Sequence, residues 1–332
     1  MRKPTIKKTS ICLLLVVSLL TVARAEAQQP AKLQKIGWLA VRPSSAPYMI
    51  ESFQREFGKL GYVEGKNIVF EYRHAEGKLD RLPALAEELV RLKVDVLIAP
   101  NTLAAQALKN ATKTIPIVFI DVTDPIGSGL VDSLARPGGN ITGFTLIESV
   151  LAGKRLELLK ETIPKLSRVG IVWNPREQSS AYSWKESQLP ARELGLQLHS
   201  MEISSADKLD SEFKKAVQAG SGALAWITSS LSLEANENKT APELARKYRL
   251  PAIHTRRSAV ERGALMSYGA DRDESFRRTA VFVDKILKGT KPADIPVEQP
   301  MAFELAINLK TAKTLGLAIP PLVLMRATRV VK

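Results

Sequence analysis

The sequence is poor in the residue types that enzymes use for covalent or metal chemistry. One of its 332 residues is a cysteine, Cys12, so disulfides, thiolate nucleophiles and cysteine-based metal sites are excluded from the rest of the chain. The histidines, His74, His199 and His254, are far apart and form no metal-ligand pair. The motifs G-x-S-x-G, G-x-x-x-x-G-K-[ST] and G-x-G-x-x-G are missing as well. We therefore expect no catalytic residues, no metal and no cofactor.

Long apolar runs are also missing, apart from one near the amino terminus. Residues 11–23 are almost wholly apolar and follow a basic start in residues 2–8. As a helix this run would be roughly 20 Å long, too short for a hydrocarbon core of about 30 Å, which argues against a membrane anchor. Residues 23–25 and 25–27 both fit a small-x-small cleavage pattern. The sequence therefore predicts a secretory signal peptide over residues 1–27 and a periplasmic location.

The charge balance is strongly positive, which raises the question of a nucleic-acid partner. The net charge of the whole chain is +14, and beyond residue 27 there are 43 basic and 33 acidic residues, a net charge of +10. The basic residues form no run or arm, and the export signal argues against nucleic acid. We interpret them as solvated helix faces and expect no nucleic-acid partner.

Two stretches of the chain, 35–47 and 168–180, begin alike. Each has a basic residue, then a short apolar run, then a polar loop with a Ser-Ser pair. Each also opens a series of short apolar strands that alternate with longer amphipathic segments, and Ile36 of the first series matches Val169 of the second. Alternating strands and helices imply right-handed crossovers and parallel sheets. The sequence therefore predicts an α/β protein with two doubly wound parallel-sheet lobes.

Polar residues follow many of the predicted strands, at the edge where parallel α/β sheets bind ligands. Two facing lobes would present these loops across one cleft, with helix N-termini suited to an anion. The candidate ligand-binding residues are Ser44, Ser45, Tyr48, Asn101, Thr102, Asp121, Asp124, Asn174, Ser229, Ser230, Arg256 and Asp271. Tyr48, Phe144 and Trp173 are candidates for an apolar wall. Helix capping is the alternative role for the serines and Thr102, a turn before Pro125 for Asp124, and the core for Trp173.

Longer phrases of the sequence resemble the tryptophan/tyrosine-type family of bacterial ABC-transporter substrate-binding proteins. They follow one another over nearly the whole chain after residue 27 and include LGYVEGKNIVFEYRHAEGKLDRLPALAEELVRLKVDVLIAP, TIPIVFIDVTDPIGSGLVDSLARPGGNITG, KRLELLKETIPKLSRVGIVWNP, GALMSYGAD, VDKILKGTKPADIPVEQP and FELAINLKTAKTLGLAIPP. The resemblance implies a type I periplasmic-binding fold without catalysis, whose two lobes are joined by three crossover segments.

The resemblance also implies where the chain crosses and what it binds. The crossovers are expected near residues 140–149, 267–275 and 295–303. The first lobe would comprise residues 33–143 plus 273–297, and the second residues 144–272 plus 298–332. The expected ligand is an amino acid or another small carboxylate, and the expected partner is an ABC permease in the inner membrane, with the binding protein itself a monomer.

Two other functions fit parts of the sequence. A ligand-sensing module for a membrane receptor would share the fold and differ only in its partner. A periplasmic enzyme would need an acid–base pair, for which Asp121 and Asp124 are the nearest candidates.

Overall fold

The computed structural model describes residues 33–42 and 46–332, without the side chains at 46–48, 148–149, 230, 233–234 and 237. The predicted signal peptide and the candidate residues Ser44 and Ser45 lie outside the described residues, as do the side chains of Tyr48 and Ser230. Across the part of the chain that is described, none of the helices combines the length and apolar character needed to cross a bilayer.

The first sheet, within the described residues, has five parallel strands in the spatial order β2-β1-β3-β4-β5. They are β1 (Gln34–Ala40), β2 (Ile68–His74), β3 (Val96–Ala99), β4 (Ile117–Val122) and β5 (Ile141–Thr145). Strands β3, β4 and β5 are buried along their whole length, as expected for parallel strands covered on both faces. In β1, Ile36 and Trp38 face one core and Leu39 the other.

Three helices on this sheet precede the second lobe. They are α1 (Ala46–Gly58), α2 (Leu82–Arg91) and α3 (Thr102–Ala111). Helix α1 forms because Met49, Phe53 and Phe57 recur at helical spacing and pack on the same core as Trp38. The helix ends at Gly58, and Leu60 lies in the following turn with 41% of its surface exposed.

The second sheet, within the described residues, has seven strands in the order β12-β11-β10-β9-β8-β6-β7. They are β6 (Arg168–Trp173), β7 (Gln197–Glu202), β8 (Ala223–Trp226), β9 (Ala252–His254), β10 (Met266–Ala270), β11 (Phe303–Asn308) and β12 (Arg329–Val331). Strands β6 to β10 are parallel, whereas β11 is antiparallel to β10 because the chain re-enters this lobe from the cleft side. The sheet is thus mixed at one edge, where the sequence predicted a parallel sheet.

Six helices described between residues 148 and 261 accompany this sheet. They are α4 (Glu148–Thr162), α5 (Gln178–Glu193), α6 (Leu209–Gln218), α7 (Ser230–Glu237), α8 (Thr240–Lys247) and α9 (Arg257–Glu261). Leu156 and Leu159 of α4 pack on one face of the sheet, and Phe213 of α6 packs on the other. The second lobe therefore repeats the three-layer build of the first, with a core on each face of its sheet.

The chain passes between the lobes three times, and the two-lobe α/β architecture predicted from the sequence is confirmed. Strand β5 leads into α4, strand β10 leads into α10 (Arg272–Leu287), and the segment around Glu298 leads into β11. Helix α10 returns to the first lobe, where Phe276 and Phe282 pack in the core with Trp38. The backbone of Glu298 forms an isolated parallel β-bridge with Phe144 of β5. The crossovers thus lie side by side and connect two separate cores.

Short elements complete the fold. The tail forms α11 (Leu309–Leu315) and α12 (Pro321–Met325) in the second lobe, and 3-10 turns occupy Leu79–Arg81, Ala206–Lys208 and Pro292–Asp294. Residues 127–139 form successive turns, and Pro137, Gly138 and Gly139 end this segment shortly before β5.

Candidate ligand-binding cleft

The carboxyl ends of both sheets border one cleft. In the first sheet the strand order reverses between β1 and β3, and in the second it reverses between β6 and β8. Ligands of open α/β sheets bind outside the carboxyl ends of strands at such reversals. The loops after β3 and β4 and the helix after β6 are therefore the segments where a site is expected.

A cavity of about 370 Å³ lies between these segments. The first lobe lines it with short polar side chains and an acid, and the second lobe lines it with one face of α5. The lining residues are Thr102, Asp124, Gly127, Ser128, Gln178, Ser179, Ala181, Tyr182 and Lys185. Small-molecule pockets occupy roughly 300–1,000 Å³, so a solute of modest size fits here.

Asp124 is fixed by a tight turn after β4. Its Oδ1 accepts a hydrogen bond from the backbone N–H of Gly127 at 2.8 Å, and its backbone carbonyl accepts one from the Ser128 hydroxyl at 2.5 Å. A Cβ at position 127 would collide with the Asp124 carboxylate, so a larger residue there would displace that carboxylate from this position. The turn therefore holds one carboxylate at the cavity wall in a defined orientation.

The opposite wall is the first two turns of α5. Helix α5 begins at Gln178, which lines the cavity, so the positive end of the helix dipole lies on the cavity side. Burial raises the pKa of Tyr182, with smaller contributions from Glu186 and from Asp124 of the other lobe. Lys185 lies about one turn further along α5 than Tyr182 and also lines the cavity. An acid on one wall thus faces a cation and a phenol on the other.

Near this cavity a buried group of three charges connects the lobes. Asp121, at the end of β4, has only 1% of its side chain exposed and forms an ion pair with Arg272, the first residue of α10. Its Oδ2 also lies 3.9 Å from Nη2 of Arg256, which stands between β9 and α9 in the second lobe. Asp121 is held in the left-handed region with φ 56°, at a register shift between Ile120 and Val122.

Four of the other candidates make local hydrogen bonds. Asn101 and Asp271 cap α3 and α10, accepting from the N–H groups of Ala104 and Asp273 at 2.9 Å. The Asn174 amide donates to Oε1 of Glu177 at 2.8 Å, and its Oδ1 accepts from the Arg176 N–H at 3.1 Å. The Ser229 hydroxyl accepts from the Ser232 N–H at 3.0 Å. The contact of Ser229 fits the capping role that the sequence offered as its alternative to ligand contact.

Two of the three suggested aromatic wall residues are packed elsewhere. Phe144 is in the core of the first lobe with 1% exposure. Trp173 stacks on Trp184 at 5.6 Å between ring centroids and donates its indole N–H to the Ser200 hydroxyl. Both are on strands whose two faces are covered, so neither belongs to the cavity lining.

The cavity residues on α5 were missed from the sequence. Only Asn174 was chosen from the segment after β6, although the helix that follows a strand end points its first turns at the ligand edge. The available signal for these residues was Tyr182, an aromatic in the first part of the helix whose side chain is exposed. Its neighbours Gln178, Ser179 and Lys185 are ordinary surface residues by sequence and only the folded arrangement selects them.

The titratable side chains of the described residues do not gather into a metal-binding group. Nowhere in residues 33–42 and 46–332 do three or more His, Cys, Asp or Glu side chains group so as to hold a metal ion. His254 is fully enclosed, stacks on Trp226 at 5.3 Å, and its burial lowers its pKa to about 3. Such an imidazole is neutral at physiological pH and is enclosed in the core of the second lobe.

Two α/β lobes with a solute-sized cavity between their strand-end loops define a solute-binding protein. A sequence profile described as "ABC transporter substrate binding protein" matches residues 44–331. The chain therefore belongs to the family of ABC transporter substrate-binding proteins, whose members act outside the cytoplasm and deliver small molecules to a membrane transporter.

Individual relatives agree with this assignment. A tyrosine-binding protein of Clostridioides difficile strain R20291 is 29% identical over 267 residues, which are 80% of this chain and 76% of the relative. The structure of an ABC domain in complex with L-Trp from Streptococcus pneumoniae is 27% identical, with a TM-score of 0.82, over 90% of this chain and 100% of that one.

A third relative bears on the arrangement of the lobes. The ligand-free, open structure of a substrate-binding protein with adhesive properties from Clostridium difficile is 26% identical, with a TM-score of 0.67, over the same shares of the two chains. Identity and coverage are nearly equal for the two structures, yet the present structure superposes better on the L-Trp complex.

Proposed function

We propose that this substrate-binding protein captures a zwitterionic amino acid in the cavity between its lobes. The observation that carries the proposal is the pairing of walls, with Asp124 on the first lobe and Lys185 on the second. An amino acid carries one ammonium and one carboxylate, so it matches one acid and one cation on opposite sides. The tyrosine and L-Trp named for the relatives belong to the same chemical class.

The cavity walls suggest how the ligand is oriented. The ammonium group is assigned to the carboxylate of Asp124, and the Thr102 and Ser128 side chains offer further oxygen acceptors. The carboxylate is assigned to Lys185 and to the N–H groups at the start of α5. The ring of Tyr182 then offers an apolar surface to the ligand side chain. Of the residues predicted from the sequence, this assignment keeps Thr102 and Asp124.

The remaining parts of the proposal concern the protein in the cell. We propose that residues 1–27 direct export and are removed, that the protein works as a monomer with an ABC permease, and that it neither binds nucleic acid nor catalyses a reaction. Residues 33–145 with 272–297, and residues 146–271 with 298–332, would be the two rigid bodies; the boundaries expected from the sequence, 143/144 and 272/273, move slightly because β5 runs to Thr145 and α10 begins at Arg272. The separate cores around Trp38 and Leu156 support that division.

Calorimetry with purified protein tests the ligand class. We would screen the twenty amino acids, their amides and their N-acetyl derivatives by thermal shift, and then measure the dissociation constants of those that bind. Binding of at least one free amino acid, with loss on blocking either the ammonium or the carboxylate, is expected. Equal binding of the blocked compounds, or no binding of any amino acid, would refute the proposal.

Two substitutions test the orientation. Asp124→Asn should weaken amino-acid binding by about 1–3 kcal/mol, because a charged acceptor of the ammonium is lost. Lys185→Gln should weaken it by less, about 1 kcal/mol, since the α5 N-terminus still attracts the carboxylate. Asp80→Asn is the matched control, because Asp80 is exposed on the 3-10 turn Leu79–Arg81. Unchanged affinity in Asp124→Asn would remove that residue from the site.

A further inference from the structure

Asp121 joins one partner in its own lobe to one partner in the other lobe. Arg272 belongs to α10, which packs on the first lobe, and its guanidinium also lies over the Phe276 ring at 5.5 Å. Arg256 stands after β9 in the second sheet, and its Nη2 is 3.9 Å from Asp121 Oδ2. The first contact stays within a rigid body when the lobes separate, whereas the second has to break.

Neither Asp121 nor Arg256 is among the residues that line the cavity, although Asp124, on the same loop as Asp121, does line it. The carboxylate of Asp121 is almost fully buried, and the side chains of Arg272 and Arg256 are only 14% and 18% exposed. An ion pair that is shielded from water to this degree is little screened by salt. The pair can therefore act on the distance between the lobes from outside the lining of this cavity.

We infer that Asp121 and Arg256 are positioning residues that hold the two lobes closed around the solute cavity, an inference that rests on the proposed function of that cavity. Arg272 keeps the Asp121 carboxylate compensated in the open arrangement, so opening does not leave a bare buried charge. Closure then adds Arg256 as a second cation. The contact exists in only one of the two arrangements, so it shifts the equilibrium between them toward closure.

The backbone at Asp121 supports a directed contact. Positive φ is uncommon outside glycine and is several-fold enriched in Asp and Asn. Here it coincides with the shift in pairing between β4 and β5. A bulge of this kind re-aims the side chain at the end of a strand. It turns the Asp121 carboxylate toward the two arginines, rather than continuing the alternation of the strand.

The distance between the lobes can be measured directly because Cys12 is the sequence's one cysteine. In a Cys12→Ser background, Glu87→Cys on α2 and Lys215→Cys on α6 provide spin-label sites whose parent side chains are 64% and 62% exposed. Double electron–electron resonance would be recorded on the full chain without solute and with L-tryptophan or L-tyrosine. In the solute-free protein, Arg256→Gln and Asp121→Asn should both shift the distances toward longer values, and Arg256→Lys should restore part of the shorter population.

Solute binding provides the second readout. Arg256→Gln should weaken the amino acid that binds the parent protein by roughly fivefold, mainly through faster dissociation, while the solute-saturated distance stays that of the parent. Unchanged distances in solute-free Arg256→Gln would overturn the inference. So would complete loss of binding with unchanged distances, because Arg256 would then contact the solute itself. Should no amino acid bind the parent protein, the proposed ligand class fails, whereas the solute-free distances still decide the role of Arg256.

Discussion

The two lobes repeat one fold but bring opposite charges to the cleft. At and just after the end of β4 the first lobe contributes the carboxylates of Asp121 and Asp124, whereas the second lobe contributes the cations Arg256 and Lys185. The apolar residues of the strands and helices build most of each core, so the polar residues of the strand-end loops can differ in charge while the architecture stays the same. Closure therefore brings unlike charges together across the cleft.

The same comparison separates two carboxylates that are close in sequence. Asp121 is buried between guanidinium groups of the protein itself, and Asp124 stands at a cavity wall with a turn hydrogen bond. A buried carboxylate without cations is costly, while a carboxylate at a cavity mouth remains partly hydrated. The first should therefore govern stability and closure, and the second the capture of solute.

The largest expected effect is on folding and concerns Asp121. Asp121→Ala should lower the free energy of unfolding by about 3 kcal/mol, because Arg272 and Arg256 are left facing each other with little exposure. Asp124→Ala should change it by less than about 1 kcal/mol. Urea unfolding followed by tryptophan fluorescence measures both. Equal losses in the two variants would contradict the division of roles.

The lobes are most alike where the chain leaves each sheet, which offers a second way to compare them. Gly143 in β5 and Gly269 in β10 each precede a crossover, and a Cβ at either position would collide with a backbone carbonyl, that of Phe119 or of Thr255. A backbone carbonyl cannot move aside as the end of a side chain can. Gly143→Ala and Gly269→Ala should therefore each cost about 2–3 kcal/mol of stability.

The control for these glycines lies at the end of α1. A Cβ on Gly58 meets nothing within 4 Å, so Gly58→Ala should be neutral or slightly stabilising. A loss of stability in both Gly143→Ala and Gly269→Ala would show that the crossovers are built alike in both lobes. A loss at only one of them would show that the two crossovers depend on different contacts.

The two lobes could be predicted from the sequence because the strands of both sheets are short apolar runs. The strands around Ile36 and Val169 and the helix Thr102–Ala111 follow directly from alternation and periodicity. The antiparallel β11 could not be anticipated, because it depends on where the third crossover enters the second lobe.

The candidate site was less predictable than the fold. Choosing polar residues after strands found Thr102 and Asp124, but it also collected helix caps such as Asn101 and Asp271, since capping and ligand contact favour the same side chains at the same positions. Lys185 could not be selected from the sequence, because nothing in the sequence shows that a lysine on a helix surface faces the other lobe. Pairing across the cleft is a property of the folded chain.

The smallest expected effect is a loss of stability at acid pH, and it differs between the lobes because each has a histidine at the end of a strand in a different environment. Burial lowers the pKa of fully enclosed His254, in the second lobe, to about 3. Burial also lowers the pKa of His74, which is half-buried in the first lobe. Between the unfolded pKa of about 6.5 and about 3, the unfolded chain binds a proton that folded His254 does not bind, so the stability falls as the pH falls through this window. From pH 7 to pH 5 the loss from His254 should be about 2 kcal/mol.

His254→Asn should remove most of this acid loss of stability and His74→Asn a smaller part, as measured by urea unfolding at both pH values. An equal acid loss in His254→Asn and the parent protein would mean that the second lobe admits the charged imidazole, and that its core at Trp226 is open to water.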